Sequence, residues 1–521
     1  MTPTVSLRAC LLSAGLLLPL PVALAAAPAS ALQQPEDDDP AAAADDDEQV
    51  HWRDDLVRKR KTASIGSELF SYDTTTGSMT LTQENGDERA DIFFVAYTKA
   101  GVDDLSERPI TFTFNGGPGS SSVWLHMGAF GPRRVPMTGD ETPPPPPYPI
   151  IDNIHSILDL TDLVFIDPVT TGYSRAADGQ DDSQFHGVQE DIESVADFIR
   201  LYTTRFQRWN SPKFLAGESY GTTRAAGLAG HLQGRHGMYL NGLVLVSSIL
   251  EFGTARFDPG NDLPYPLFLP TYTASAWYHG RLGDDLQADL GAALAASEEF
   301  ALGDYVLALA KGASLPDAER VSIAARLAQL TGLTPEYVEQ TNLRIVIHEF
   351  IKELTRDQRH TIGRLDSRFR GLDADAAGDT NDYDPSYTAI QGPYTAALNQ
   401  YMRAELGYEN DLPYEILSGR VHPWNYGNRN SYVNTAATLR SAMSQNPHLQ
   451  VFVANGYYDL ATPYFATEYT FNHLGIEPQL RPNISMAYYE AGHMMYIHEP
   501  SAAKLKADLV AFYAKALDRS N

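Results

Sequence analysis

The sequence predicts an α/β fold, with a mostly parallel central sheet, helices around it and a helical cap insertion. Three observations carry that prediction. Short, continuous apolar runs recur along the chain: Leu163-Val164-Phe165-Ile166, Phe214-Leu215-Ala216, Leu243-Val244-Leu245-Val246 and Val451-Phe452-Val453-Ala454. Such runs suit strands buried on both faces of a parallel sheet, and helical patterns separate them. Finally, Gly217-Glu218-Ser219-Tyr220-Gly221 stands between one of these runs and a proline-free, Ala- and Leu-rich stretch, 222–232, that reads as a helix.

The elements follow in order. The sequence has 521 residues, which suits a large domain carrying an insertion. Residues 1–31 read as a signal peptide: Arg8, an apolar stretch at 11–24, then Ala25-Ala26-Ala27 and Ala29-Ser30-Ala31 for cleavage. That stretch is too short to span a membrane stably, so an exported protein, periplasmic or extracellular, is expected. Cys10, the single cysteine, lies inside the signal and ahead of most of its apolar run, which disfavours lipidation. The mature chain then has no disulfide, thiol nucleophile or Cys-based metal site, and an exported chain of this kind suggests a bacterial source. Residues 32–50 read as a disordered acidic linker.

A first part of the core is expected over 51–250. Within it, alternating segments at 69–72, 79–82, 92–97 and 110–114 read as strands, with Asn85-Gly86 as a hairpin turn between the second and third. The fourth stops at Asn115-Gly116-Gly117-Pro118-Gly119. Residues 251–424 change character. Amphipathic patterns at 285–311, 317–330 and 334–357, with Pro316 and Pro335 at helix starts, predict a mostly helical cap over the site. Leu263-Pro264-Tyr265 through Trp277-Tyr278 are candidates for lining its pocket, although such residues are more often simply core. The acidic stretch Asp373, Asp375, Asp379, Asn381, Asp382, Asp384 reads as a solvated loop, with a faint likeness to a calcium loop that Ala377 interrupts. Residues 425–521 complete the core.

Charge narrows the partners. The formal net charge is −27, and without the tail's eight acids and Arg8 it is still −20, from 58 acidic against 38 basic residues over 51–521. Nucleic acid and anionic membrane surfaces are thereby disfavoured.

The chemistry centres on Ser219. A G-x-S-x-G segment between strand and helix forms a tight turn that exposes the serine hydroxyl above the sheet. Glu218 beside it would repel developing negative charge when ionised. A protonated Glu218 could instead hydrogen-bond a carboxyl of the substrate; the plainer alternative is an acid favoured by the helix dipole. A serine nucleophile needs a base and an orienting acid, in the chain order Ser, Asp, His on this architecture. Asp459 follows the strand at 451–454, and His493 follows the strand at 485–489 behind a glycine. His498 is the nearest rival among 14 histidines.

These motifs resemble the serine carboxypeptidases, in a bacterial-type member. The likeness runs over Asn115-Gly116-Gly117-Pro118-Gly119-Ser120-Ser121, Ile166-Asp167-Pro168-Val169-Thr170-Thr171-Gly172-Tyr173-Ser174, the elbow pentapeptide, Gly456 to Asp459, and Gly492-His493-Met494 ending at Pro500. The resemblance implies an α/β-hydrolase fold with Ser219 as nucleophile, His493 as base and Asp459 as its orienter. It further implies an oxyanion hole from the N–H groups of Gly117 and Tyr220, and a substrate-carboxylate site of Asn115, Gly116 and Glu218. No metal or cofactor is required, and the substrate would be the C-terminus of a peptide or protein. The chain departs from the family at Thr113, where a Trp is usual, at Ala129, where a Glu is usual, and at Ser120, where a Cys is usual. Arg133, Arg134 and Arg224 lie near enough in sequence to offer another anion contact. An esterase or acyltransferase on the same triad, or a non-catalytic binding module, are the alternative readings.

Overall fold

The computed structural model describes residues 55–137, 143–427 and 430–518. The expected signal peptide, residues 1–31, and the whole of the expected acidic linker, residues 32–50, lie outside the described residues.

One large mixed sheet organises the chain. Its main strands are β1 (Val57–Ile65), β2 (Glu68–Thr82), β3 (Glu88–Lys99), β4 (Ile110–Phe114), β5 (Asp162–Ile166), β6 (Lys213–Glu218), β7 (Gly242–Val246), β8 (Gln450–Gly456) and β9 (Ile484–Tyr489). They lie in the order β1-β2-β3-β5-β4-β6-β7-β8-β9, with Arg175–Ala176 pairing beside β3. The β1-β2, β2-β3 and β3-β5 pairs are antiparallel, and every pair from β5-β4 onward is parallel. Strands β4 to β7 are buried at every residue, as the unbroken apolar runs require.

Alternation along those runs feeds two cores. Phe214, Ala216, Val244, Val246, Phe452 and Ala454 face the helices Pro385–Gln400 and Glu499–Leu517. Leu215, Leu243, Leu245, Val451 and Val453 face α1 (Val188–Arg205), α2 (Tyr220–His236) and the helix Ala436–Gln445. Burial of each such side chain contributes roughly 1.5–3 kcal/mol.

Several expectations need correction. Segments 69–72 and 79–82 are the two ends of one strand, β2. The β-branched Thr74-Thr75-Thr76 stays extended between them, paired with β1 on one side and β3 on the other. Strand β1 itself was missed because its Arg58-Lys59-Arg60-Lys61 run shows no apolar alternation. It is the sheet edge, where such charges block further pairing. The Asn85-Gly86 hairpin is present, closed by Gln83 and Asp87.

In the insertion, the pattern at 334–357 is broken into Pro335–Gln340 and Ile347–Glu353. Asn342 and Leu343 between them adopt φ of 54° and 63°. The segment proposed as pocket lining is a helix, α3 (Pro264–Tyr278), and forms the insertion's own core with Leu294, Leu327 and Phe350. It borders neither cavity described below. A short two-stranded sheet, His360–Ile362 with Arg370–Leu372, also interrupts the helices.

Candidate active site

Strand β6 ends at Glu218 and α2 begins at Tyr220, leaving Ser219 alone in the turn at φ 61°, ψ −130°. A non-glycine residue there is strained, and such strain persists only where the surroundings over-determine it. The Ser219 N–H donates to Val246 O at 3.0 Å. A Cβ at Gly217 would stand 2.2 Å from the Gly221 carbonyl oxygen, so the turn closes only on glycine. Gly116 is equally constrained: a Cβ there would stand 2.4 Å from the Tyr220 nitrogen. The Gly-rich loop after β4 therefore lies directly on the start of α2. Asp167, from the motif after β5, accepts the Ser122 N–H and hydroxyl at 2.8 Å each and ties down the far end of that loop.

Strands β8 and β9 carry the other two predicted groups beyond their C-terminal ends. His493 Nδ1 is 2.7 Å from Asp459 Oδ2. Asp459 is fully buried and accepts from the Ala461 and Thr462 N–H groups at 2.8 and 3.0 Å and from the Thr462 hydroxyl at 2.6 Å. The carboxylate is thus held in one orientation. Burial opposes a charge on His493, but Asp459 and Glu218 outweigh it and push the imidazole above its ordinary value. With Nδ1–H on Asp459, the Nε2 lone pair is left to act as a base. His498, the rival histidine, bonds Ser501 and does not border the cavity.

A cavity of about 530 Å³ gathers Asn115, Gly116, Gly117, Glu218, Ser219 and His493. Glu218 is 2 % exposed, and burial pushes its carboxyl up to about 7 despite a 2.6 Å hydrogen bond from the Tyr496 hydroxyl. Asn115 Oδ1 accepts from Leu125 N–H, whereas its buried Nδ2 makes no hydrogen bond within 3.5 Å to any described residue, although it lies near enough to Glu218 to favour that group's ionised form. A half-neutral acid and an unsatisfied amide therefore share one wall. Buried amide donors are rarely left unpaired unless a ligand or water serves them.

Of the remaining sequence candidates, Tyr220 borders an adjoining cavity with Gly117 and packs edge-on against Trp424. Thr113 is buried inside β4, and Ala129 lies behind the site on the turns Leu125–Phe130; neither lines the cavity. The three arginines are engaged elsewhere, Arg224 with Asp191, Arg133 with Asp152 and Glu405, and Arg134 with Glu499. Arg364 lines the cavity instead. It was missed, as were Tyr496, Trp124 and Tyr387, because nothing in their spacing marks them. Trp124 is the partial exception, since it lies close behind the Gly-rich loop in sequence.

The acidic loop spends its carboxylates internally. Asp373 pairs with buried Lys352, Asp375 caps Ala377 and Gly378, and Asp384 caps the helix Pro385–Gln400.

Against known proteins, the family model described as serine carboxypeptidase matches residues 68–493. A curated relative, serine carboxypeptidase ctsa-3.2 of Caenorhabditis elegans, is 28% identical over 215 residues. That match covers 39% of this chain and 36% of the relative, so it spans about a third of that protein's length. Among solved structures, Kex1Δp, a prohormone-processing carboxypeptidase of Saccharomyces cerevisiae, is 14% identical. It aligns with a TM-score of 0.54 over 85% of this chain and 91% of its own. The shared architecture is the α/β-hydrolase fold.

Proposed function

The chain belongs to the serine carboxypeptidase family, and from that premise we propose that it removes C-terminal residues from peptides through a serine acyl-enzyme. The observation that carries the reading is the cavity wall on which Asn115 Nδ2 stands unpaired beside a buried, readily protonated Glu218. Such a wall suits a carboxylate, which can accept from the amide, from the Gly116 N–H and from neutral Glu218.

In this mechanism Ser219 Oγ attacks the last peptide carbonyl while His493 Nε2 takes its proton. Asp459 holds the imidazole in the required tautomer and stabilises its cation. The N–H groups of Gly117 and Tyr220 receive the developing oxyanion. Collapse breaks the C–N bond, His493 protonates the departing amine, and water attacks the Ser219 ester by the reverse route. The insertion over 251–424 acts as a cap, supported by the cavity wall that Leu365, Tyr387, Ile390 and Leu417 supply. The proposal includes export, which rests on residues 1–31. No helix among the described residues is long and apolar enough to cross a membrane.

An esterase or acyltransferase on the same triad is the second reading, favoured by Ala129, which leaves Glu218 paired with a tyrosine rather than a second carboxyl. The experiment is a time course by mass spectrometry on an unblocked peptide, with fluorophosphonate labelling mapped by digestion. Stepwise loss from the C-terminus and a label on Ser219 are expected. An unlabelled Ser219, or cleavage of esters with intact peptides, would contradict the proposal.

Tyr496→Phe isolates the support of Glu218. The Tyr496 hydroxyl favours the ionised carboxyl, so its removal raises the Glu218 pKa further. The high-pH decline of activity on free-acid peptides should move upward by roughly one pH unit. A downward move, or none, would show that Glu218 does not govern that limb.

A further inference from the structure

A second cavity, of about 600 Å³, adjoins the first, with Gly117, Pro118 and Arg364 bordering both. Tyr220, Phe252 and Tyr426 give it an aromatic wall, and Arg256 lies over the last two rings, 5.5 Å from each centroid. The guanidinium also reaches the Tyr426 hydroxyl at 3.5 Å. Many of the chain's arginines pair with carboxylates, as in Arg224–Asp191, Arg344–Asp262 and Arg368–Asp366, while others such as Arg175 and Arg326 bond carbonyl or amide oxygens. Among the described residues Arg256 and Arg364 have no carboxylate partner, although the chain carries a net charge of −27. Asp258, the acid bordering this cavity, accepts from the Tyr432 hydroxyl at 3.1 Å.

The direction of a bound peptide follows from the proposed function, on which this inference rests. The departing residue lies with Asn115 and Glu218 in the first cavity, and its scissile carbonyl points at the Gly117 and Tyr220 N–H groups. The preceding residue must then pass those groups into the second cavity, which Gly117 and Tyr220 also border. We propose that this cavity selects an acidic side chain on the residue before the scissile bond, its methylenes against Phe252 and Tyr426 and its carboxylate toward Arg256 and Arg364. An arginine held on aromatic faces keeps its fork free for a carboxylate, so both parts of a glutamate side chain are matched. The enzyme would thus trim peptides whose penultimate residue is glutamate or aspartate ahead of neutral or basic ones.

The test uses three blocked dipeptides, benzyloxycarbonyl-Glu-Leu, -Gln-Leu and -Lys-Leu, assayed near pH 6 at low salt. Wild type should favour Glu over Gln by roughly fivefold in kcat/KM, with Lys lowest. The gap should narrow at about 1 M salt, where such pairs are screened. Arg256→Gln together with Arg364→Gln should bring the Glu/Gln ratio close to one, whatever happens to the absolute rates, and Arg256→Lys should retain part of the preference. A wild-type ratio near one, or an unchanged ratio in the double variant, overturns the inference while leaving the carboxypeptidase reading intact. Failure to cleave any of the three overturns both.

Discussion

Ser219→Ala loses at least about four powers of ten in kcat on peptide substrates and melts where the wild type does. The side chain is half-buried in the elbow and makes no packing contact on which a core depends. Alanine meets the same backbone strain as serine at φ 61°, so the turn gains no new cost. The strain is held by contacts that the variant retains, the 3.0 Å bond to Val246 O and the close approach of the Gly-rich loop. What disappears is the hydroxyl that the proposed mechanism uses as its nucleophile. A variant keeping more than about a tenth of the activity, a loss below about 1.4 kcal/mol, would put the nucleophile elsewhere.

Asp459→Asn is expected to cost about four powers of ten as well, by another route. Asparagine can keep one oxygen toward the Ala461 and Thr462 N–H groups, which turns its NH₂ toward the Thr462 hydroxyl and His493 Nδ1. His493 then accepts at Nδ1 and carries its proton on Nε2, the wrong tautomer for a base. Asp459 also helps hold the His493 pKa up, so its neutralisation moves that pKa down. The residual activity should therefore persist to lower pH than in wild type. Replacing a fully buried, four-fold hydrogen-bonded carboxylate also destabilises the fold, by about 1–3 kcal/mol. Kinetics across pH and a melting curve measure both effects. A loss under tenfold would mean that another group orients the imidazole, Thr462 being nearest at 3.2 Å.

The parts of this site that share a local pattern were legible in the sequence. Ser219, Asp459 and His493 each follow a short apolar strand, and the strand's end dictates where the next residue goes. The Gly-rich loop was legible for the same reason, since only glycine permits its approach to Tyr220. Glu218 was legible as chemistry, because a carboxylate in that position is otherwise unfavourable.

What could not be read is what long-range folding brings in. Tyr496 reaches Glu218 across 278 positions of sequence, and its immediate neighbours resemble any 3₁₀ turn. Arg364 comes from a loop of the insertion between two short strands, a segment without periodicity. The place of helix α3 stayed open between pocket lining and core, because an apolar, aromatic stretch looks alike in either setting; the structure puts it in the core. Strand β1 escaped because a charged edge strand carries no apolar alternation to detect.

The central claim is that this site binds a substrate's free C-terminal carboxylate through neutral Glu218. The direct measurement is a pair of pH–rate profiles, for a peptide acid and its C-terminal amide, in wild type and in Glu218→Gln. Burial pushes the Glu218 carboxyl up to about 7, so the group is protonated below that value and ionised above it. On the acid substrate, wild-type kcat/KM should rise as His493 loses its proton and fall as pH passes about 7, where two carboxylates would face each other. The two groups interact, so the observed steps belong to the pair. The amide should show the rise without that fall, at a rate about ten- to a hundredfold lower. Glu218→Gln should abolish the fall on the acid, since an amide donates the same hydrogen bond without titrating. Profiles that are the same for acid and amide in both proteins would contradict the carboxylate site and leave an esterase on this triad as the better account.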